Sequence, residues 1–497
     1  MSELPPVRRV VVAGGGTAGW IAAMALARQL RGLVEVTVVE SEAIGTVGVG
    51  EATIPTIRTF HELLRIDERA FMAATKASFK LGIAFEDWGR IGDRYIHSFG
   101  TMGTKSWVAE FQHFWLQARS EGEEAPIGAH CLEHEAALAG RFGKDQPLNY
   151  AYHLDAGLYA QFLRRIAENE GARRIEGKIA RVEQDGDSGD ILALLLESGE
   201  RVEGDLFIDC TGFRGLLIED TLKAGFEDWS RWLPTNSALA VQTESVADAI
   251  PYTRSIAHTA GWQWRIPLQH RVGNGIVFCG DHMSEDKARE LLLGSVEGTV
   301  LTEPRLIRYT AGKRREAWKN NVIALGLSAG FVEPLESTSI HLFMIGVTRL
   351  IQQFPFGGIT PARRAHYNRI ADNEIDRVRD FVILHYKLTE RDDSPFWNRV
   401  RAMDVPAPLA ERIALFAEQA EAWQQADDLF RVDSWVQVML GQRLLPRSWH
   451  RIGALMSEGR LRQMLADLRR QVAEGVAAMP AHQQFLDSYS VAVEGAR

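Results

Sequence analysis

The chain has three cysteines in 497 residues, Cys131, Cys210 and Cys279. They are too few and too widely spaced for a disulfide framework, which points to a reducing compartment. No apolar run approaches the ~20 residues a spanning helix needs, and Met1–Arg9 lacks the apolar stretch of a signal peptide. A cytoplasmic protein with no membrane partner is expected. Basic residues are not in excess: 56 Lys and Arg stand against 65 Asp and Glu, a formal charge of −9, which argues against a nucleic-acid partner. Internal repeats, low-complexity tracts and clean linkers are lacking, as are H-E-x-x-H, a P-loop and G-x-S-x-G. His130-Cys131-Leu132-Glu133-His134 has metal-type residues at i and i+4. With no third ligand it reads as a solvated helix face, and no metal is expected.

What is present suits an ordinary globular core: 46% of residues are hydrophobic and 24% charged. Arg9–Ala13 reads as a buried parallel strand, Gly14-Gly15-Gly16 breaks it, residues 20–30 are helical in composition, and Val34–Glu40 is a second β-branched strand. That is a β-α-β unit. Its turn, from Gly14 to Gly19, is a G-x-G-x-x-G. Gly14 serves the tight turn, Gly16 the close approach of backbone to a pyrophosphate, and Gly19 helix–strand packing. The helix N-terminus at Ala18–Gly19, just after Thr17, offers unpaired N–H groups to phosphate. Glu40, closing the second strand, is placed to accept ribose hydroxyls, and an acid there disfavours a 2′-phosphate. The motif predicts a dinucleotide and leaves FAD and NAD both open. Its place near residue 14 suits an FAD enzyme with nothing before it.

Farther along, two helical patterns precede Gly89, residues 121–144 form a polar excursion, 177–209 read as short strands, and 235–285 are mostly β. Residues 336–353 form a helix entered through the cap types Ser337 and Thr338, and from Pro361 the pattern is helical. This predicts an α/β protein: a Rossmann-like module, a β-rich middle segment and a helical C-terminal part. The predicted division is a core over 1–360 and a helical part over 361–497. Three segments stand out, each with an ordinary reading beside a functional one. Gly48 to Pro55 can strap a flat cofactor or start a helix. Trp262-Gln263-Trp264-Arg265-Ile266-Pro267 puts both indoles on one strand face. Gly330 to Ile340 places a carboxylate at a helix entrance.

Together GGGTAGW (14–20), VGVGEATIP (47–55), FKLGIAFEDW (79–88), HLDAGLYAQFL (153–163), DLFIDCTGFRGLL (205–217), WQWRIP (262–267) and NNVIALGLSAGFVEPLESTSI (320–340) resemble the flavin-dependent halogenases of the tryptophan and indole type. The resemblance covers most of the chain. Trp262, Trp264, Ile266 and Pro267 form the signature that separates this family from related flavin monooxygenases.

The resemblance implies reduced FAD supplied by a separate NAD(P)H-dependent reductase. Oxygen gives a flavin hydroperoxide, halide (chloride or bromide) attacks it, and hypohalous acid passes down a tunnel to a lysine beside a small aromatic substrate. The matching lysine is Lys80; Glu336 is the matching carboxylate, with Ser337 a second polar group. Thr338 and Ser339 match the halide site. Many members have glycine where Ser339 stands, so a positive φ there would strain the serine. His97 and Phe99 match aromatic substrate contacts. Val49, Gly50, Ala52, Gly326 and Ile340 join Gly14–Gly19 and Glu40 around the cofactor. The tyrosine pair that clamps free tryptophan has no counterpart in residues 411–437, which favours indole, a substituted indole or a larger aromatic molecule. A homodimer is left open. The competing readings are an FAD-dependent aromatic monooxygenase and a non-catalytic flavoprotein.

Overall fold

A computed structural model describes residues 5–45 and 50–494. The chain divides into two units, each assembled from three segments. The first takes the residues up to Ala77, Leu154–Ser230 and Tyr309–Asp376; the second takes Ser78–His153, Arg231–Arg308 and Arg377 onward. Residue 360 therefore lies inside the last segment of the first unit. The division is discontinuous because a Rossmann sheet is completed by strands from distant parts of the chain.

That sheet is the frame of the first unit. Val10, Val11 and Val12 are at most 1% exposed, and burying each contributes about 2 kcal/mol. The Arg9–Ala13 strand sits inside a six-stranded sheet. The order is Trp318–Lys319, Val322–Ala324, Leu206–Asp209, Arg9–Ala13, Glu35–Glu40, Arg173–Glu176. All neighbours are parallel except the first pair. Two helices, Thr17–Gln29 and Ser339–Gln352, pack against each other in this unit. Ile179–Gln184, Ile191–Leu196 and Arg201–Glu203 form a separate antiparallel sheet, the short strands expected over 177–209.

The second unit is built on seven strands in the order Arg305–Arg308, Ser237–Thr243, Val272–Phe278, Gly261–Pro267, Thr253–His258, Gly82–Glu86, Arg94–Ser98. Pairing is antiparallel except between Thr253–His258 and Gly82–Glu86. Every residue of Val272–Phe278 is buried, so the sheet is covered on both faces at this strand. Beyond Arg377 the unit is helical, ending in Glu458–Ala477 and His482–Glu494. Among the described residues no helix is long and apolar enough to cross a membrane.

The 130–134 segment differs from expectation. His130, Cys131 and Glu133 are buried, not solvated. Glu133 accepts the Asn149 backbone N–H at 2.8 Å, and Ser98 Oγ lies 3.3 Å from Cys131 Sγ. His130 ends a 3₁₀ turn, Ile127–His130, Cys131 is extended and the helix starts only at Leu132, so His130 and His134 do not share one helix face.

Candidate active site

In the first unit the glycine fingerprint works by steric exclusion. Gly14 adopts φ +112°, and a Cβ there would meet the Cys210 carbonyl oxygen at 2.3 Å. At Gly19 a Cβ would come within 1.9 Å of the Gly14 carbonyl oxygen, and at Gly15 within 1.3 Å of Glu40 Oε2. Gly16 is the exception, with open space around the corresponding position. Gly16 caps Thr17–Gln29 in extended conformation with no side-chain hydrogen bond, so the first-turn amides around Thr17 and Ala18 are uncapped. Gly326, at φ +71°, closes the other side: a Cβ there would lie 2.6 Å from Ala18 Cβ.

Glu40 is tightly held. Arg174 Nε donates to its Oε1 at 2.5 Å and the Trp20 indole N–H to its Oε2 at 3.3 Å. Gly50 and Ala52 are buried in the short Gly50–Ala52 strand, while Val49 lies outside the described residues. Asp209, which no motif singled out as a hub, is fully buried. It accepts from Thr211 N and Oγ1, Leu217 N, Ile218 N and Ser328 Oγ at 2.7–3.0 Å. It ties the turn after Leu206–Asp209 to the turn containing Gly326.

Glu336 is fully buried at the end of a 3₁₀ turn, Pro334–Glu336. The expected helix entrance shifts here. Ser337 takes the left-handed conformation, φ +58°, and the helix begins at Ser339 after Thr338, with no side-chain cap. The positive φ therefore falls on Ser337, not Ser339, and Ser339 carries no strain of that kind. Thr338 is fully buried, and its Oγ1 meets no hydrogen-bond partner among the described residues. Uncapped first-turn amides beside a free buried hydroxyl suit a small anion. Ile340 is buried in the same first turn.

In the second unit Lys80 is fully buried in the Ser78–Lys80 strand, not on the surface of an amphipathic segment. Its Nζ lies 5.3 Å from the centre of the Phe99 ring, within cation–π range. His97 is 2% exposed and packed beside Phe381 and Phe430, ring centres 5.5 and 6.2 Å away; those two phenylalanines stack at 3.7 Å. The backbone around Phe99 is clamped by the C-terminal part. Ser98 N–H donates to Gln437 Oε1 at 2.9 Å, Gln437 Nε2 donates back to the Ser98 carbonyl at 3.2 Å, and Arg431 donates to the Phe99 carbonyl at 2.8 Å. Over 300 residues separate these partners, so no local spacing could have revealed Phe381, Phe430, Arg431 or Gln437.

Trp262 and Trp264 lie in the Gly261–Pro267 strand, 1% and 8% exposed, with ring centres 6.2 Å apart. Gly275 lies opposite Trp264 and makes room for its indole, since a Cβ there would come within 2.1 Å. Ile266 and Pro267 complete the strand and are buried. The same unit holds a cleft of about 440 Å³ lined by Tyr252, Arg94, Arg254, Arg265, Glu86 and Glu297. Its cations are engaged: Arg254 pairs with Glu86 at 2.7 Å and Arg265 with Glu297 at 2.6 Å.

Fold and glycine geometry define a protein with a Rossmann-type dinucleotide-binding unit. The chain belongs to the tryptophan halogenase family, whose profile matches residues 9–458. It is similar to the tryptophan 6-halogenase SttH of Streptomyces toxytricini, 38% identical over 82% of this chain and 83% of that protein. Among solved structures it resembles Xcc4156, a flavin-dependent halogenase from Xanthomonas campestris, at 53% identity and TM-score 0.96, covering 98% of this chain and 99% of that one. BrvH, a flavin-dependent halogenase from Brevundimonas sp. BAL3, matches at 43% identity and TM-score 0.94, covering 97% of this chain and 99% of that one. The chain is a flavin-dependent halogenase, and the monooxygenase alternative gains no support from these relatives. Membership implies FAD and halide. The residues present fit FAD: the backbone is closed by packing at Gly14, Gly15 and Gly19, and left open at Gly16 before uncapped amides.

Proposed function

We propose that the protein halogenates the ring of indole or an indole derivative, with Lys80 directing the electrophile and Glu336 taking the ring proton. The observation that carries the reading is the fully buried Lys80 side chain with its Nζ against the Phe99 ring, a group that hydroxylation has no use for. The cofactor residues assigned are Gly14, Gly16, Thr17, Ala18, Gly19, Glu40, Val49, Gly50, Ala52, Gly326 and Ile340, with halide at Thr338 and Ser339. Reduced FAD, when bound, supplies with oxygen the oxidising equivalents that convert halide to hypohalous acid. A flavin reductase, acting without a stable complex, provides the reduced cofactor in the cytoplasm.

Lys80 donates a hydrogen bond to the oxygen of hypohalous acid, which withdraws electrons from the halogen. An electron-rich ring carbon attacks that halogen, and the halogen–oxygen bond breaks toward oxygen, which leaves as water after gaining a proton. The Glu336 carboxylate stabilises the cationic ring and accepts the displaced ring proton. Ser337 is a second polar group for that step. His97 and Phe99 border the aromatic substrate, and Trp262 and Trp264 keep it from reaching the cofactor. Free tryptophan is disfavoured because residues 388–488 contain no tyrosine to clamp an amino acid.

The test supplies a flavin reductase, NADH, oxygen and bromide with a panel of indoles. Mass spectrometry should find the bromine isotope doublet on at least one of them. An oxygenated, bromine-free product as the sole outcome would overturn the reading.

A further inference from the structure

The strand carrying Lys80 is gripped by two histidines whose hydrogen-bond partners leave each ring one arrangement. Ser78 and His153 face each other across the antiparallel pair. Lys80, two residues along, leaves the same face as Ser78. Ser78 Oγ lies 2.6 Å from the Pro267 carbonyl oxygen and 3.2 Å from His153 Nδ1; His153 Nε2 lies 2.9 Å from Thr253 Oγ1. A carbonyl can only accept, so the Ser78 hydroxyl spends its proton on Pro267. Its oxygen must then accept from His153 Nδ1–H. With Nδ1 protonated, a neutral ring has a bare Nε2, and that nitrogen accepts from the Thr253 hydroxyl. The fixed end of the chain decides every hydrogen along it.

His482 reaches the same answer from the other flank. Its Nδ1 lies 2.6 Å from the Ala249 carbonyl and must donate; its Nε2 accepts the Phe79 backbone N–H at 3.3 Å. Ser78, Lys80 and His153 are fully buried and His482 is 1% exposed. Burial, and then the nearby Lys80 ammonium, hold His153 well below the usual histidine range. Burial brings His482 down to about 4.

We propose that Ser78, His153 and His482 are positioning residues for Lys80: two neutral histidines, each locked in the Nδ1–H tautomer, fix the Ser78–Lys80 strand and leave the positive charge to Lys80. The proposal rests on Lys80 being the reactive group. A protonated His153 would set a second cation beside Lys80 and disfavour its ammonium form. The chain also joins the lysine strand to Pro267, the last residue of the tryptophan signature. The end of the signature then braces the strand that carries Lys80.

The experiment uses the holoenzyme with reductase, bromide and indole. His153→Phe keeps a ring but no donor; His153→Asn returns a donor near the Nδ1 position. The phenylalanine variant should lower kcat roughly 10-fold or more, with KM for indole and FAD affinity little changed, and the asparagine variant should recover most of that loss. Nitrogen NMR of histidine-labelled enzyme at neutral pH should show His153 and His482 with protonated Nδ1 and bare Nε2. An Nε2–H tautomer or an imidazolium at either ring, or equal kcat in the two variants, overturns the proposal. If His153→Phe does not fold, Ser78→Ala breaks the same chain without added volume, and an unchanged kcat there overturns it equally. Lys80→Ala separates the layers: activity surviving that change removes the Lys80 reading while leaving the tautomers as observed.

Discussion

The two units deal with polar chemistry in opposite ways. The first exposes backbone. Its glycines pack so closely that no side chain fits at Gly14, Gly15 or Gly19, and its helix starts at Thr17 and Ser339 are left uncapped. Around Ser78 the second buries side chains and satisfies them through one another, in the chain from Thr253 through His153 and Ser78 to Pro267. Open amides suit phosphate and halide, whose charge is the same in every orientation they are asked to recognise. A single oriented ammonium requires a rigid, dry surround, because its donors must point one way.

The largest effect that would sharpen this contrast is on rate. Lys80→Met should lower bromination at least about 100-fold with unchanged flavin affinity, measured by product formation and flavin fluorescence titration. The glycines should separate stability from binding in the first unit. Gly19→Ala collides with backbone at 1.9 Å and should cost about 3 kcal/mol or more in denaturant unfolding. Gly16→Ala meets open space and should leave stability within about 0.5 kcal/mol while weakening flavin binding. Equal unfolding midpoints for the two variants would break the steric account.

Acid should weaken both units together. Burial pushes His341 in the first unit and His482 in the second down to about 4 from an ordinary 6.5. The unfolded chain then takes up these protons first. Stability is full above pH 6.5 and falls as pH drops from 6.5 toward 4, by roughly 3 kcal/mol for each histidine. Urea midpoints across that range should decline, and His482→Gln should flatten the slope. The smallest effect is at the helix entrance. Ser337 pays for φ +58°, so Ser337→Gly should stabilise by about 1 kcal/mol, whereas Ser339→Gly should not stabilise at all.

The first unit was the more legible in sequence because its fingerprint is local, although the contacts that close it are not. Gly14 to Glu40 spans one β-α-β unit, and the spacing marks Gly14, Gly16 and Gly19, but not the Cys210 carbonyl that closes on Gly14. Ser339 shows the limit. Residue type cannot say which of three adjacent residues takes the left-handed turn, and the extra 3₁₀ turn at Pro334–Glu336 moved it to Ser337. In the second unit Lys80 stands out through its motif, but the strand that carries it is held by residues 153, 253, 267 and 482, and no window of sequence holds them together. Burial of His130, Cys131 and Glu133 was hidden for the same reason: the partners Ser98 and Asn149 lie well outside the segment.

The central claim is that one buried ammonium turns oxidised halide onto an aromatic ring. Its most direct measurement compares wild-type and Lys80→Ala protein, loaded with flavin to the same occupancy, for brominated indole by mass spectrometry. The account predicts an isotope doublet from the wild type and none from the variant. A doublet of comparable intensity from both would contradict it.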